Sequence, residues 1–133
     1  MVVQERLKSY EIFERSKEVI AGGVNSPVRA FIGLGIDPLI VSKGEGERIT
    51  DVDGREFIDY CMSWGALLHG HADPEVVAKV CARVKEGSSF GIATEVEEKL
   101  ARKLITAYPS IDRVRFVSSG TEAAMSAARL ARG

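Results

Sequence analysis

An α/β fold, entered through a small helix-and-hairpin region, is what three features of this 133-residue sequence predict. Amphipathic helical stretches alternate with short apolar runs. An Asp53-Gly54 pair between two such runs signals a hairpin. Near the end, an apolar run turns through Ser118-Ser119-Gly120-Thr121 directly into an alanine-rich helix, which is half of a parallel βαβ unit.

Composition narrows the function classes. Hydrophobic residues make up 45% and charged residues 28%, an ordinary globular balance that argues against disorder. With 18 Lys plus Arg against 19 Asp plus Glu, the net charge of -1 gives no electrostatic case for nucleic acid or for an anionic membrane surface. No stretch approaches the roughly 20 apolar residues a spanning helix needs. The first 20 residues are broken by charges and rich in glutamate, unlike a signal-peptide core or a transit peptide. Cys61 and Cys81 have neither metal-ligand nor redox spacing, so reduced thiols in a cytoplasmic protein are expected. The length allows one domain.

Val3, Leu7, Tyr10, Phe13 and Ile20 fall on one stripe at helical spacing, and Gly22-Gly23 stops that helix. Residues 24–38 are irregular yet too apolar for a solvent loop, so they are expected to pack across a surface or a partner. Residues 39–41 and 48–59 read as strands, with Asp53-Gly54 as a type I′ turn, which requires positive φ at both central positions. Residues 64–71 form a loop punctuated by Gly65 and Gly70. Asp73 then caps a helix with Pro74 in its first position, buried through Val77, Val80, Cys81 and Val84 and ended by Gly87. Thr94-Glu95-Val96-Glu97 reads as a capping box before a helix with Val96, Leu100, Leu104 and Ile105 inside, closed by Pro109. Residues 114–117 read as a strand and 122–132 as the last helix.

Several residues are candidates for chemistry. A helix start at Ser119, Gly120 and Thr121 offers unpaired N–H donors, the positive end of the dipole and two hydroxyls, which suit a phosphate. The residues alone leave that reading open against an ordinary capped helix start, and the Walker pattern is absent. Arg29, in Asn25-Ser26-Pro27-Val28-Arg29-Ala30-Phe31, is either a bidentate carboxylate partner or a surface arginine. Trp64 is either a flat wall for a ligand or core filler. His69 and His71 straddle Gly70 without a third metal ligand and read as loop residues bonding the backbone. Lys43 sits in a charged turn, 43–47, where solvation argues against a Schiff-base role.

Taken together, these segments resemble the glutamate-1-semialdehyde 2,1-aminomutases, a branch of the class-III aminotransferases with the aspartate aminotransferase-like fold (fold type I). The resemblance runs through Gly22-Gly23-Val24-Asn25-Ser26-Pro27-Val28-Arg29-Ala30-Phe31, Asp51-Val52-Asp53-Gly54, Ile58-Asp59-Tyr60, Ser63-Trp64-Gly65 and Gly70-His71-Ala72-Asp73-Pro74. It continues through Ser89-Phe90-Gly91, Arg115-Phe116-Val117 and Ser119-Gly120-Thr121-Glu122-Ala123, in the family's order across essentially the whole chain. The Asn25–Phe31 piece points to the aminomutases, and the other pieces are shared by class-III enzymes generally. Ser118, where relatives often carry Asn, and His69, where they often carry a small residue or Cys, depart from the pattern.

The resemblance implies pyridoxal 5'-phosphate and pyridoxamine 5'-phosphate as alternating cofactors, with Ser119, Gly120 and Thr121 at the phosphate. It implies Ser26 and Arg29 at the substrate carboxylate and Trp64 lining the pocket. The implied reaction is isomerisation of glutamate-1-semialdehyde to 5-aminolevulinate, in tetrapyrrole (porphyrin) biosynthesis. The implied protein is a cytoplasmic homodimer that acts on a small amino-aldehyde and binds neither nucleic acid nor membrane. A class-III transaminase for an ω-amino acid or ornithine-like substrate is the enzyme rival, and a non-catalytic fragment ordered in a larger assembly is the other. Family members carry the Schiff-base lysine and the aspartate facing the pyridine nitrogen further on, and no segment here offers either in context. The expectation is therefore an N-terminal part: residues 1–60 a helix and small hairpin, residues 61–133 the start of the large cofactor domain, inactive alone, with no catalytic residue and no metal ligand.

Overall fold

The computed structural model describes residues 7–133. The chain packs as two compact units divided between Glu86 and Gly87.

In the first unit, α1 (Lys8–Val19) carries the expected stripe, with Phe13 buried and Leu7 just before the helix; Val3 lies outside the described residues. Phe13 packs so tightly on Gly23 that a Cβ there would stand 2.6 Å from the ring, and the Lys17 ammonium lies 4.5 Å above the ring centre. The irregular stretch contains two short 3₁₀ turns, Pro27–Ala30 and Ile32–Leu34, and exposes Val28, Ile32, Leu34 and Ile36.

The sheet is antiparallel, ordered β1 (Val41–Glu45), β2 (Arg48–Asp51), β3 (Glu56–Ile58). The run expected at 39–41 therefore starts later, and Lys43 lies within β1, paired with Thr50, rather than in a turn. The hairpin expected within 48–59 is present, with β2 and β3 paired antiparallel on either side of Asp53-Gly54. That turn is not type I′, because Gly54 has φ of +81° while Asp53 keeps negative φ. Gly54 N–H donates to Asp51 O at 3.1 Å and Asp51 N–H to Arg55 O at 3.0 Å, so the loop is the three-residue kind that ends in one left-handed glycine. Only that position needs glycine.

α2 (Met62–Gly65) is a single turn, and α3 (Pro74–Val84) starts as expected, with Asp73 Oδ1 accepting from Val76 N–H at 2.9 Å. The face of α3 expected to be buried, Val77, Val80, Cys81 and Val84, is exposed throughout. Its periodicity is right, but no other element among the described residues of the first unit covers it.

The second unit holds α4 (Glu95–Ala107) and α5 (Gly120–Arg132). Thr94 does stand at the N-cap of α4, but the capping box does not close. Its hydroxyl is 3.4 Å from the Glu97 carboxylate and caps no backbone N–H. Val96 and Leu100 are exposed, and Leu104 and Ile105 only half-buried. Residues 114–117, expected as a strand, run without a ladder. A strand needs a hydrogen-bonded neighbour, and among the described residues no segment forms a ladder with this one.

Candidate active site

Of the residues singled out from sequence, Ser26, Arg29 and Trp64 belong to the first unit and Ser119, Gly120 and Thr121 to the second.

The second unit supplies an anion-binding helix start. Ser119 is the N-cap of α5, its extended backbone (φ -151°) leaving the hydroxyl to accept from Glu122 N–H at 3.2 Å. Glu122 turns its carboxylate back to accept from Ser118 N–H at 2.8 Å. This S-x-x-E cap is visible in the sequence itself, although sequence reasoning used Glu122 only as part of a motif. The N–H groups of Gly120 and Thr121 and the Thr121 hydroxyl have no acceptor among the described residues. A Cβ placed on Gly120 would meet nothing within 4 Å. Two free donors, a free hydroxyl and open space at the positive end of a 13-residue helix fit a phosphate.

In the first unit, Ser26 and Arg29 are joined by one 3₁₀ turn, with Arg29 N–H donating to Ser26 O at 2.9 Å. Pro27 fixes the turn's first position. Arg29 is exposed and meets no carboxylate within ion-pair distance among the described residues, so its guanidinium is available to an anion. Trp64 is 75% exposed within the described residues.

The setting of Trp64 was not legible beforehand. Met62, Ser63 and Trp64 have φ of +44°, +53° and +60°, and Gly65 continues at +84°. A left-handed turn costs L-residues about 1–2 kcal/mol each, so outside contacts must hold it. Asp59 is that contact. Its Oδ1 accepts from Cys61 N–H at 2.8 Å and Met62 N–H at 3.0 Å, and its Oδ2 accepts from His71 Nε2 at 2.7 Å. The His71 hydrogen bond, then the Met62 and Cys61 amides, hold the Asp59 carboxyl below its ordinary value. The His71 ring, expected to bond the backbone, bonds the Asp59 carboxylate instead, while its main chain exchanges both hydrogen bonds with Gly46 at 2.8 and 2.9 Å. His69 is exposed and joins none of this.

The Asp51-Val52-Asp53-Gly54 motif is scaffold. Asp51 is buried and accepts from Asp53 N–H at 2.9 Å, Arg55 N–H at 2.8 Å and Arg55 Nε at 2.6 Å. Burial pushes the Asp51 carboxyl up, but the donors from Arg55 and Asp53 together hold it below its ordinary value. Among the described residues no cluster of His, Cys, Asp or Glu suits a metal ion.

Comparison with known proteins decides the family. A family profile described as aminotransferase class-III matches residues 34–133. The chain belongs to the class-III aminotransferases. Within that family it is 53% identical over 126 residues to glutamate-1-semialdehyde 2,1-aminomutase 2 of Bacillus thuringiensis (strain Al Hakam), covering 95% of this chain and 29% of the relative. Among solved structures, an omega-transaminase from Sphaerobacter thermophilus superposes with a TM-score of 0.88 at 36% identity, over 97% of this chain and 29% of the other. A transaminase with PLP bound gives a TM-score of 0.85 at 43% identity, over 94% and 29%. This class-III aminotransferase chain thus spans about 29% of the length of the relatives it matches. The fold type I expectation holds, and no helix among the described residues is long and apolar enough to cross a membrane.

Proposed function

We propose that the whole protein is a pyridoxal-phosphate-dependent aminomutase that isomerises glutamate-1-semialdehyde to 5-aminolevulinate, in tetrapyrrole biosynthesis. The observation that carries this reading is the 53% identity, over 95% of the chain, to an aminomutase of that name. The Ser26–Arg29 turn supports it, because a hydroxyl and a guanidinium without an ion-pair partner among the described residues, carried on one 3₁₀ turn, suit the carboxylate that substrate and product share.

In this reading the Gly120 and Thr121 N–H groups, with the Thr121 and Ser119 hydroxyls, hold the cofactor phosphate at the start of α5. When bound, pyridoxal phosphate supplies the electron sink for chemistry at the amino-bearing carbon. The part played by these residues is binding and orientation: a phosphate anchor in the second unit, and a carboxylate clamp and aromatic wall, Arg29 and Trp64, in the first. Residues 1–60 form the N-terminal segment and 61–133 begin the cofactor domain, although the compact units divide after Glu86. The working form is a cytoplasmic homodimer.

The close superposition on an omega-transaminase favours one alternative, transfer of the amino group to an external keto acid. Turnover of glutamate-1-semialdehyde by the full-length protein, with no keto acid added, separates the two. Formation of 5-aminolevulinate under those conditions supports the aminomutase. A strict requirement for an added keto acid establishes the transaminase instead.

A further inference from the structure

Little packing among the described residues is available to aim Trp64. It is 75% exposed and stands in a turn of backbone that L-residues avoid. Inside the turn, Gly65 N–H reaches Cys61 O at 3.2 Å and Leu67 N–H reaches Met62 O at 3.1 Å. These bonds close the turn but do not anchor it to the rest of the unit. The anchor is Asp59, whose Oδ1 takes the two N–H groups at the turn's entrance. Asp59 is oriented in its turn by His71, and His71 is fixed at both levels. Its backbone is bridged twice to Gly46 at the β1–β2 hairpin, and its ring lies on Gly44, where an added Cβ would stand 2.6 Å from it.

We propose that Asp59 and His71 are positioning residues, a carboxylate–imidazole latch that transmits the rigidity of the β1–β2 hairpin to Trp64 and so sets the direction of the substrate-pocket wall. The proposal rests on reading Trp64 as that wall. A catalytic dyad is the competing use of an Asp–His pair, and the geometry opposes it. The other ring nitrogen, Nδ1, lies over Gly44, 2.9 Å from where a Cβ there would stand, and no nucleophilic side chain is hydrogen-bonded to it among the described residues. Both side chains are also largely covered, at 14% and 22% exposure for Asp59 and His71. The pair is built to hold position.

The test uses the cofactor-loaded full-length protein and isolates Trp64 emission as the difference from a Trp64→Phe reference. His71→Leu removes the donor to Asp59, while His71→Gln restores an N–H at similar reach. Asp59→Asn is the second disruption, since its amide still accepts from the two backbone N–H groups but its –NH₂ cannot accept from His71. The expected result is faster local rotation of Trp64, read as lower anisotropy, in His71→Leu and Asp59→Asn, with recovery in His71→Gln. The same two variants should lose about tenfold or more in kcat/KM, mainly through KM, with cofactor content unchanged. Unchanged Trp64 anisotropy in folded His71→Leu or Asp59→Asn overturns the latch. An unaltered KM in Trp64→Phe, alongside a clear anisotropy loss in the latch variants, instead overturns the reading of Trp64 as the pocket wall.

Discussion

The Asp53 carboxylate, at the β2–β3 turn, caps α1, meeting Ser9 at a sequence separation of 44 residues. It accepts from the Ser9 hydroxyl, from Ser9 N–H at 3.3 Å and from Lys8 N–H at 2.7 Å. Leu7, the residue at the N-cap position, has no side chain able to do this, so the hairpin supplies the missing cap. Ser9→Ala should therefore cost about 1.5–3 kcal/mol, the worth of a hydrogen bond to a charged group. Amide exchange should rise first at the start of α1. Protection unchanged there would show that the helix does not depend on the hairpin.

Acid should undo the same region in a defined direction. Asp53 is held below the ordinary carboxyl value of 3.8 by the Ser9 hydroxyl first, against burial, with the Ser9 and Lys8 amides adding to it. Asp51 and Asp59 are lowered from the same value by the contacts described above. A carboxyl whose folded pKa lies below its unfolded one stabilises fully above the unfolded value and loses that stabilisation as pH falls through the folded one. Loss of the hairpin and of the Trp64 turn is therefore expected as pH falls below 3.8, and no pH dependence is expected from these three groups between about 5 and 7. A pH series of exchange or circular dichroism measures it. Stability that climbs on acidification would contradict all three assignments.

What was legible in the sequence was whatever local chemistry controls. Asp73-Pro74, the Ser119 helix start and the glycine-marked turn at Asp53-Gly54 each depend on a few adjacent residues, and each stands where expected. The periodicity of α3 and α4 is legible, but burial depends on a partner surface, which Val77, Val80 and Leu100 do not find among the described residues of their own units. Residues 114–117 illustrate the same limit, since β-propensity cannot create the neighbouring strand that makes a ladder. The Asp59–His71 contact spans 12 residues, and no spacing rule connects a carboxylate after a strand to an imidazole after a loop. The left-handed run at 62–64 escaped for a related reason. Met, Ser and Trp carry no preference for that backbone, and distant contacts impose it.

At the phosphate anchor, Thr121 and Ser119 should behave differently. The Thr121 hydroxyl has no partner among the described residues, so Thr121→Ala in the full-length protein should leave α5 intact. It should weaken cofactor retention by about 1.5–3 kcal/mol, or roughly ten- to a hundredfold. Ser119→Ala removes the cap to Glu122 N–H and should cost the helix about 1 kcal/mol besides any loss of cofactor. Dialysis followed by absorbance of bound cofactor reads retention, and circular dichroism reads the helix. Full retention in Thr121→Ala would take that hydroxyl out of the site.

Arg29 offers a test of the carboxylate clamp. Arg29→Lys keeps the charge but loses the planar fork, so KM for glutamate-1-semialdehyde should rise while bound cofactor stays constant. Because Arg29 is exposed and forms no ion pair among the described residues, its replacement should not shift the melting temperature appreciably. Wild-type kinetics in the variant would leave the substrate carboxylate to some other cation.

Three glycines around His71 separate crowding from backbone conformation. Gly46 has φ of +53° with open space where a Cβ would stand, so Gly46→Ala carries only the left-handed penalty, about 1–2 kcal/mol. At Gly44 no such φ is imposed, but a Cβ would lie 2.6 Å from the His71 ring and 2.9 Å from its Cβ. The ring cannot yield without leaving Asp59, so Gly44→Ala should cost about 1–3 kcal/mol as overpacking and release the carboxylate as well. Gly70 combines both problems. Its φ is +81°, and its Cβ would meet the Gly46 carbonyl oxygen at 2.7 Å, a backbone atom already accepting from His71 N–H. The expected order of destabilisation is Gly70→Ala well beyond Gly44→Ala, with Gly46→Ala the mildest, read from denaturant midpoints at matched m-values. Trp64 anisotropy adds a second reading, because only Gly44→Ala and Gly70→Ala disturb the His71 support. If Gly46→Ala proved the most damaging of the three, conformation rather than contact would control this corner, and the hairpin would not be what holds His71 in place.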